Sequence, residues 1–143
     1  MDRYPARAAP ELRFSATFDK LNPRAGESVR CKVSAARVGF RGYGMMIAEV
    51  GLPPGAEADR ATLEDAVSNS GPVDRYEVRP GRVLFYLWPK AGGVDFEFTF
   101  HNRFPMTAKS GPSVLYDYYN PESRTELAPV VFQAGPRFDT RER

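Results

Sequence analysis

A single cysteine, Cys31, leaves no internal disulfide to form, so packing alone must hold the chain together. A single histidine, His101, has no second imidazole with which to share a metal, and one Cys with one His falls short of the usual zinc donor set. No apolar run approaches the ~20 residues of a membrane-spanning helix, so no membrane insertion is expected. The opening "MDRYPARAAP" lacks the apolar stretch of a secretory signal, which in a fragment would say nothing about where a longer parent works. Charge of one sign is scarce as well. The formal net charge is +2, and sixteen arginines and four lysines are interleaved with eighteen acids rather than clustered, so no nucleic-acid partner is expected. The glycines of "RGYGMM" and "AGGVD" lack the Lys-Ser/Thr or G-x-G-x-x-G context of a phosphate loop. Neither a cofactor nor a metal is expected.

What is present is β-structure. At 143 residues and 16.0 kDa the chain suits one domain with a real core, and its 13% of aromatic residues suits pleated surfaces. Leu12, Phe14, Ala16 and Phe18 alternate with polar residues, and "LNPRAGE" turns the chain into a second strand, Val29 to Val38. Within it Val29, Cys31, Val33 and Ala35 oppose Arg30, Lys32 and Ser34, which makes Cys31 a buried structural thiol. "GYGMMIAEVGLP" is apolar on both faces, as a central strand covered on both sides would be, and stops at Pro53-Pro54-Gly55. The period then changes: Leu63, Ala66 and Val67 are spaced for a short helix, with Asp59 or Thr62 as cap and Gly71-Pro72 as stop.

"DRYEVRPGRVLFYLW" reads as two strands joined at Pro80-Gly81. In "GGVDFEFTFHNRF", Val94, Phe96, Phe98 and Phe100 face in while Asp95, Glu97, Thr99 and His101 face out. "SVLYDYY" and "RTELAPVVF" supply a last pair. About eight strands with one helix in a crossover predict an all-β, antiparallel β-sandwich. Residues 1–10 read as a linker, 11–134 as the domain and 135–143 as a tail.

Catalytic candidates are few. His101 belongs to the polar face of a strand, and the alternation of Phe with acids accounts for Asp95 and Glu97 without a carboxylate-pair mechanism. No enzyme is expected. The surplus lies in "YDYYNPESRTE", with three tyrosines in four positions. Alternation places Tyr116 and Tyr118 on one face of a strand and Asp117 and Tyr119 on the other. One sandwich face needs less phenol than that, and aromatics concentrate where a partner buries a surface.

The order of "YGMMIAEVGLPPG", an acidic helix, "VDRYEVRPGRVLFYLWPK", "VDFEFTFHNRFPM" and "PSVLYDYYNPESRTE" resembles the C-terminal receptor-binding domain of α2-macroglobulins. The third, fourth and fifth complement components and the thioester-containing proteins share that domain. The resemblance implies a macroglobulin-type sandwich within a large secreted protease inhibitor, extracellular or in the periplasm and cell envelope. In such inhibitors bait-region cleavage releases a reactive thioester that aromatic residues of this domain had covered. The partners it implies are the thioester domain and neighbouring macroglobulin domains of a parent chain, a cell-surface receptor, and target proteases indirectly. On this reading Tyr116, Tyr118 and Tyr119 make the thioester-shielding contact, with Met45 and Met46 as adaptable neighbours, and Asp59, Arg60, Glu64 and Asp65 form the helix face where a receptor would bind.

The chain has no G-C-G-E-Q thioester motif, no lysine on the helix and no partner for a domain disulfide. These departures, with a usage rich in Arg, Ala and Pro, point to a bacterial or divergent member. The rival reading is a free-standing sandwich used in adhesion or scaffolding, with its tyrosines on a protein or glycan.

Overall fold

The computed structural model describes residues 12–37, 44–69, 71, 73–88 and 93–136. They form two packed antiparallel sheets, as the alternation predicts. One has the order β1 (Leu12–Phe18), β2 (Ser28–Arg37), β7 (Val94–Asn102), β4 (Ala56–Ala58). The other has the order β10 (Arg124–Leu127), β9 (Ser113–Asp117), β3 (Met46–Gly51), β6 (Arg82–Leu87), β5 (Val73–Arg79). A separate pair, β11 (Val131–Ala134) with β8 (Met106–Lys109), completes eleven strands among the described residues.

That exceeds the expected number for two reasons. β4 has three residues and β8 four, too few for a period of two to register. The stretch from Arg124 to Phe132, which reads as one strand, is divided at residues 128–130, and its halves join different sheets. Pro129 in that break has no amide to give a ladder. Val38, the expected end of the second strand, lies outside the described residues, as does the expected linker of residues 1–10. Hydrogen bonds continue to Gly135, one residue past the expected domain boundary: its amide donates to Pro23 O at 2.7 Å.

The core lies between the inner faces. Phe18, Cys31 and Phe98 stand in register across three strands, and Phe85 of the facing sheet meets the rings of Phe96 and Phe98 at 4.7 and 5.4 Å. Burial pushes the Cys31 thiol up to about 12, which leaves it a packing residue rather than a nucleophile. Helix α1 (Arg60–Asn69) closes one side of the sandwich, touching both β7 and β5 and burying Leu63 and Ala66.

The two sheets are also tied at one end of the core. Arg37 ends β2 on its inward-facing side and Asp117 ends β9 on its inward-facing side. Arg37 Nη1 donates to Asp117 Oδ2 at 3.0 Å, and Nη2 donates to the Gly44 carbonyl at 3.1 Å. Both side chains are largely buried, so each charge depends on the other for its solvation.

Candidate functional site

The five-stranded sheet places one row of side chains straight across its outer face: Arg124, Tyr116, Ile47, Tyr86, Arg75, from β10 to β5. The next outward row is Glu126, Val114, Glu49, Leu84, Glu77. Arg75 keeps the outward face set by the hairpin, and a β-bulge between Val73 and Arg75 absorbs Asp74 and shifts the alternation by one, which turns Val73 inward beside Leu87. The two rows interlock. Tyr116 donates its hydroxyl to Glu49 Oε2 at 2.8 Å, and Tyr86 donates to Glu77 Oε1 at 2.8 Å. The Arg75 guanidinium lies 3.9 Å from the centre of the Tyr86 ring, and that of Arg124 lies 5.7 Å from Tyr116.

Ile47, Leu84 and Tyr86 are only 5%, 5% and 8% exposed on this face. Met45 and Tyr116 pack against the same cluster. Burial, and then the bond to Glu49, push the Tyr116 phenol up to about 12. The bond to Glu77, and then burial, raise that of Tyr86, and the same bond, followed by the one from Arg79, lowers Glu77. These phenols stay neutral donors at physiological pH, so the face is a preorganised polar lattice over an apolar layer.

The tyrosines beyond Tyr116 depart from the alternation. β9 ends at Asp117, where the carboxylate accepts from the Tyr119 amide at 2.9 Å and the carbonyl accepts from the Asn120 amide at 3.2 Å. This Asx turn swings the chain round before Pro121. Tyr118 and Tyr119 are therefore not on opposite faces of a strand: their rings meet edge to face at 5.1 Å, and Tyr119 is 71% exposed. The Tyr118 amide donates to Met45 O, and the Tyr119 ring lies against Gly44, whose carbonyl Arg37 holds. Sequence reasoning missed that tie. The charged pair which closes the core also sets the pose of the exposed aromatic pair.

Met46 is a correction: it is wholly buried on the inner face and contributes to the core, whereas Met45 is half-buried at the edge of the outer cluster. Trp88, exposed at the end of β6 next to Leu87, adds an aromatic ring at the same end of the sheet as Met45. Sequence reasoning did not single it out.

The helix face is only partly as expected. Asp59 is half-buried and turns its carboxylate away from the helix: Oδ2 accepts from Thr99 Oγ1 at 2.6 Å, and Oδ1 lies 2.9 Å from His101 Nδ1. Its carbonyl, rather than its side chain, takes the Thr62 amide. Thr62 Oγ1 in turn accepts from the Thr99 amide at 3.0 Å, so the pair pins the helix to β7. Glu64 accepts from the Tyr76 hydroxyl at 2.6 Å, which raises that phenol. Arg60, Glu64 and Asp65 remain on the exposed side. Among the described residues no cluster of three or more metal-ligating side chains occurs.

The model of the A-macroglobulin receptor binding domain family matches residues 41–128, more than half of the chain. Among solved structures, the fold is similar to native alpha-2-macroglobulin from Escherichia coli, spanning the residues from domain MG7 to the C-terminus. The TM-score is 0.78 at 14% identity, over 93% of this chain and 25% of that one. It is also similar to Escherichia coli alpha-2-macroglobulin activated by porcine elastase, with a TM-score of 0.75 at 14% identity, over 94% of this chain and 14% of that one. This chain thus spans a quarter or less of the relatives' length. No curated protein matches it closely in sequence.

Proposed function

The chain belongs to the A-macroglobulin receptor binding domain family, and from that premise we propose that it is a non-catalytic C-terminal domain of a larger α2-macroglobulin-like protease inhibitor, which docks on the thioester domain through its tyrosines and exchanges that contact after bait cleavage. The observation that carries the reading is the Tyr118–Tyr119 pair, exposed yet held in one pose by Asp117, Arg37 and Gly44. A thioester survives only where water is kept out, and tyrosine brings apolar area with a hydroxyl to anchor it. An exposed pair that is already ordered loses little entropy on docking.

Tyr116, Met45 and the outer row continue the surface onto the sheet, so the contact area extends beyond two rings. The fold is similar to both a native and an elastase-activated relative, as suits a domain that exchanges contacts without refolding. A secreted parent places it outside the cytoplasm, extracellular or in the periplasm. A lysine-reading receptor is not a fitting partner for the helix, whose exposed side offers Glu64 and Asp65 with Arg60 and no lysine.

The test is made in the full-length parent. Tyr118→Ala and Tyr119→Ala should each speed the reaction of methylamine with the thioester while leaving the isolated domain folded. Reactivity equal to wild type in both variants overturns the shielding role.

A further inference from the structure

At the end of the five-stranded sheet away from the tyrosines, an open groove of about 890 Å³ runs between the loops after β3, between β5 and β6, and before β9. Its floor is unusually bare of side chains. Gly51 and Gly111 approach so closely that a Cβ on Gly51 would stand 2.2 Å from the Gly111 carbonyl oxygen. Above Gly81 and Gly111 nothing lies within 4 Å of where a Cβ would be, so the backbone there is open to an incoming chain.

The charged walls are uneven. Glu49 pairs with Arg82 and takes the Tyr116 hydroxyl, Glu126 pairs with Arg124, and Glu57 lies 3.5 Å from His101 Nε2. Glu49 and Glu126 therefore each have an arginine partner, while Glu57 is exposed beside the imidazole. Arg103, just past β7, and Lys109, on β8, have no carboxylate within ion-pair distance among the described residues, and both are exposed. Arg103, whose guanidinium lies 5.9 Å from the centre of the Phe104 ring, and Lys109 thus leave positive charge without a carboxylate beside accessible backbone among the described residues. The paired glutamates on its walls oppose a compact, highly charged anion such as phosphate, whereas a chain with spaced single carboxylates can meet the two cations separately.

We propose that this groove docks an extended, carboxylate-bearing peptide segment, with Arg103 and Lys109 as its cationic contacts and the Gly81 and Gly111 backbone as its floor. The site lies away from the tyrosine pair and does not depend on the thioester reading. It also places the cationic character of the domain elsewhere than on the helix.

The experiment titrates the folded domain with an acetylated, amidated hexapeptide Ser-Glu-Ser-Ser-Glu-Ser, with its lysine-for-glutamate counterpart and hexaserine as comparisons, and follows amide shifts by NMR. The glutamate peptide should move the amides of Gly51, Gly81, Gly111 and Val114 first, and the other two peptides should not. Arg103→Gln with Lys109→Gln should weaken binding about 5-fold and flatten its salt dependence. Gly111→Phe, which fills open space without backbone strain, should abolish binding while leaving the spectrum of the rest of the domain in place. Shifts centred elsewhere, equal response to hexaserine, or full binding by the Gly111→Phe variant each overturn the proposal.

Discussion

The two sheets of this sandwich present outward faces of opposite character. Across the four-stranded sheet the outward rows are Ser15, Ser34, Asp95 and Thr17, Lys32, Glu97. These are short or charged residues over which water closes, with an Arg30–Glu97 contact at 3.8 Å between half-exposed side chains. Across the five-stranded sheet the outward rows hold Ile47, Leu84, Val114 and Tyr86, all buried, with half-buried Tyr116 among the arginines and glutamates of the same face. A sheet facing only water needs no such layer. The same fold thus carries one polar outer face and one lined with buried apolar side chains, and the exposed rings of Tyr118, Tyr119 and Trp88 rim the second.

The comparison breaks most severely where the sheets are tied together. Arg37→Ala should cost about 3–5 kcal/mol in denaturant unfolding, because it leaves Asp117 charged and unpaired in a largely buried site. It should also free the Tyr118–Tyr119 turn, read as new methylamine reactivity in the parent. A loss below 1 kcal/mol would show the tie to be incidental. Next comes a direct contrast of faces. Ile47→Ala should cost about 2–4 kcal/mol although it lies on an outer face, and Lys32→Ala on the opposite outer face less than about 0.5. Equal effects would erase the distinction.

Smaller is Tyr86→Phe, which removes the hydroxyl bond to Glu77 and should cost about 1 kcal/mol or less in thermal unfolding, with no change in fold. A last contrast runs through pH. Burial, and then the bond to Glu49, push the Tyr116 phenol up to about 12 from its ordinary value of about 10. Its contribution is therefore complete below about pH 10 and is lost as pH rises toward 12. Ultraviolet absorbance of phenolate should show this tyrosine ionising late, in step with loss of the outer-face packing. Tyr116→Phe should remove that late step.

Much of this was legible in the sequence because it is local. The Pro80-Gly81 turn, with Gly81 at a φ of 77°, fixes a two-residue hairpin, and counting back from it pairs Glu77 with Leu84 and Arg75 with Tyr86. The apolar-on-both-faces pattern of β3 placed it correctly in the middle of a sheet. What alternation could not reveal was long-range. The pairing of β3 with β9, which sets Tyr116 beside Ile47, joins residues far apart in the chain. The Arg37–Asp117 contact is longer still in sequence separation and leaves no periodic trace. Tyr118 and Tyr119 were assigned to faces by a period that stops at Asp117, because that carboxylate turns back on the Tyr119 amide. Met45 and Met46 read alike as adaptable neighbours of the tyrosines, although a strand sends one of two neighbours inward, here Met46.

In a longer parent chain the aromatic end and outer face of the five-stranded sheet should be covered while the other outer face stays open to water. Hydroxyl-radical footprinting reads this side chain by side chain, in the isolated domain and in the intact parent. Trp88, Tyr118 and Tyr119 should oxidise readily in the isolated domain and be protected in the parent, while Lys32 on the opposite face should label equally in both. Equal oxidation of the three aromatic side chains in the two samples would contradict that covering.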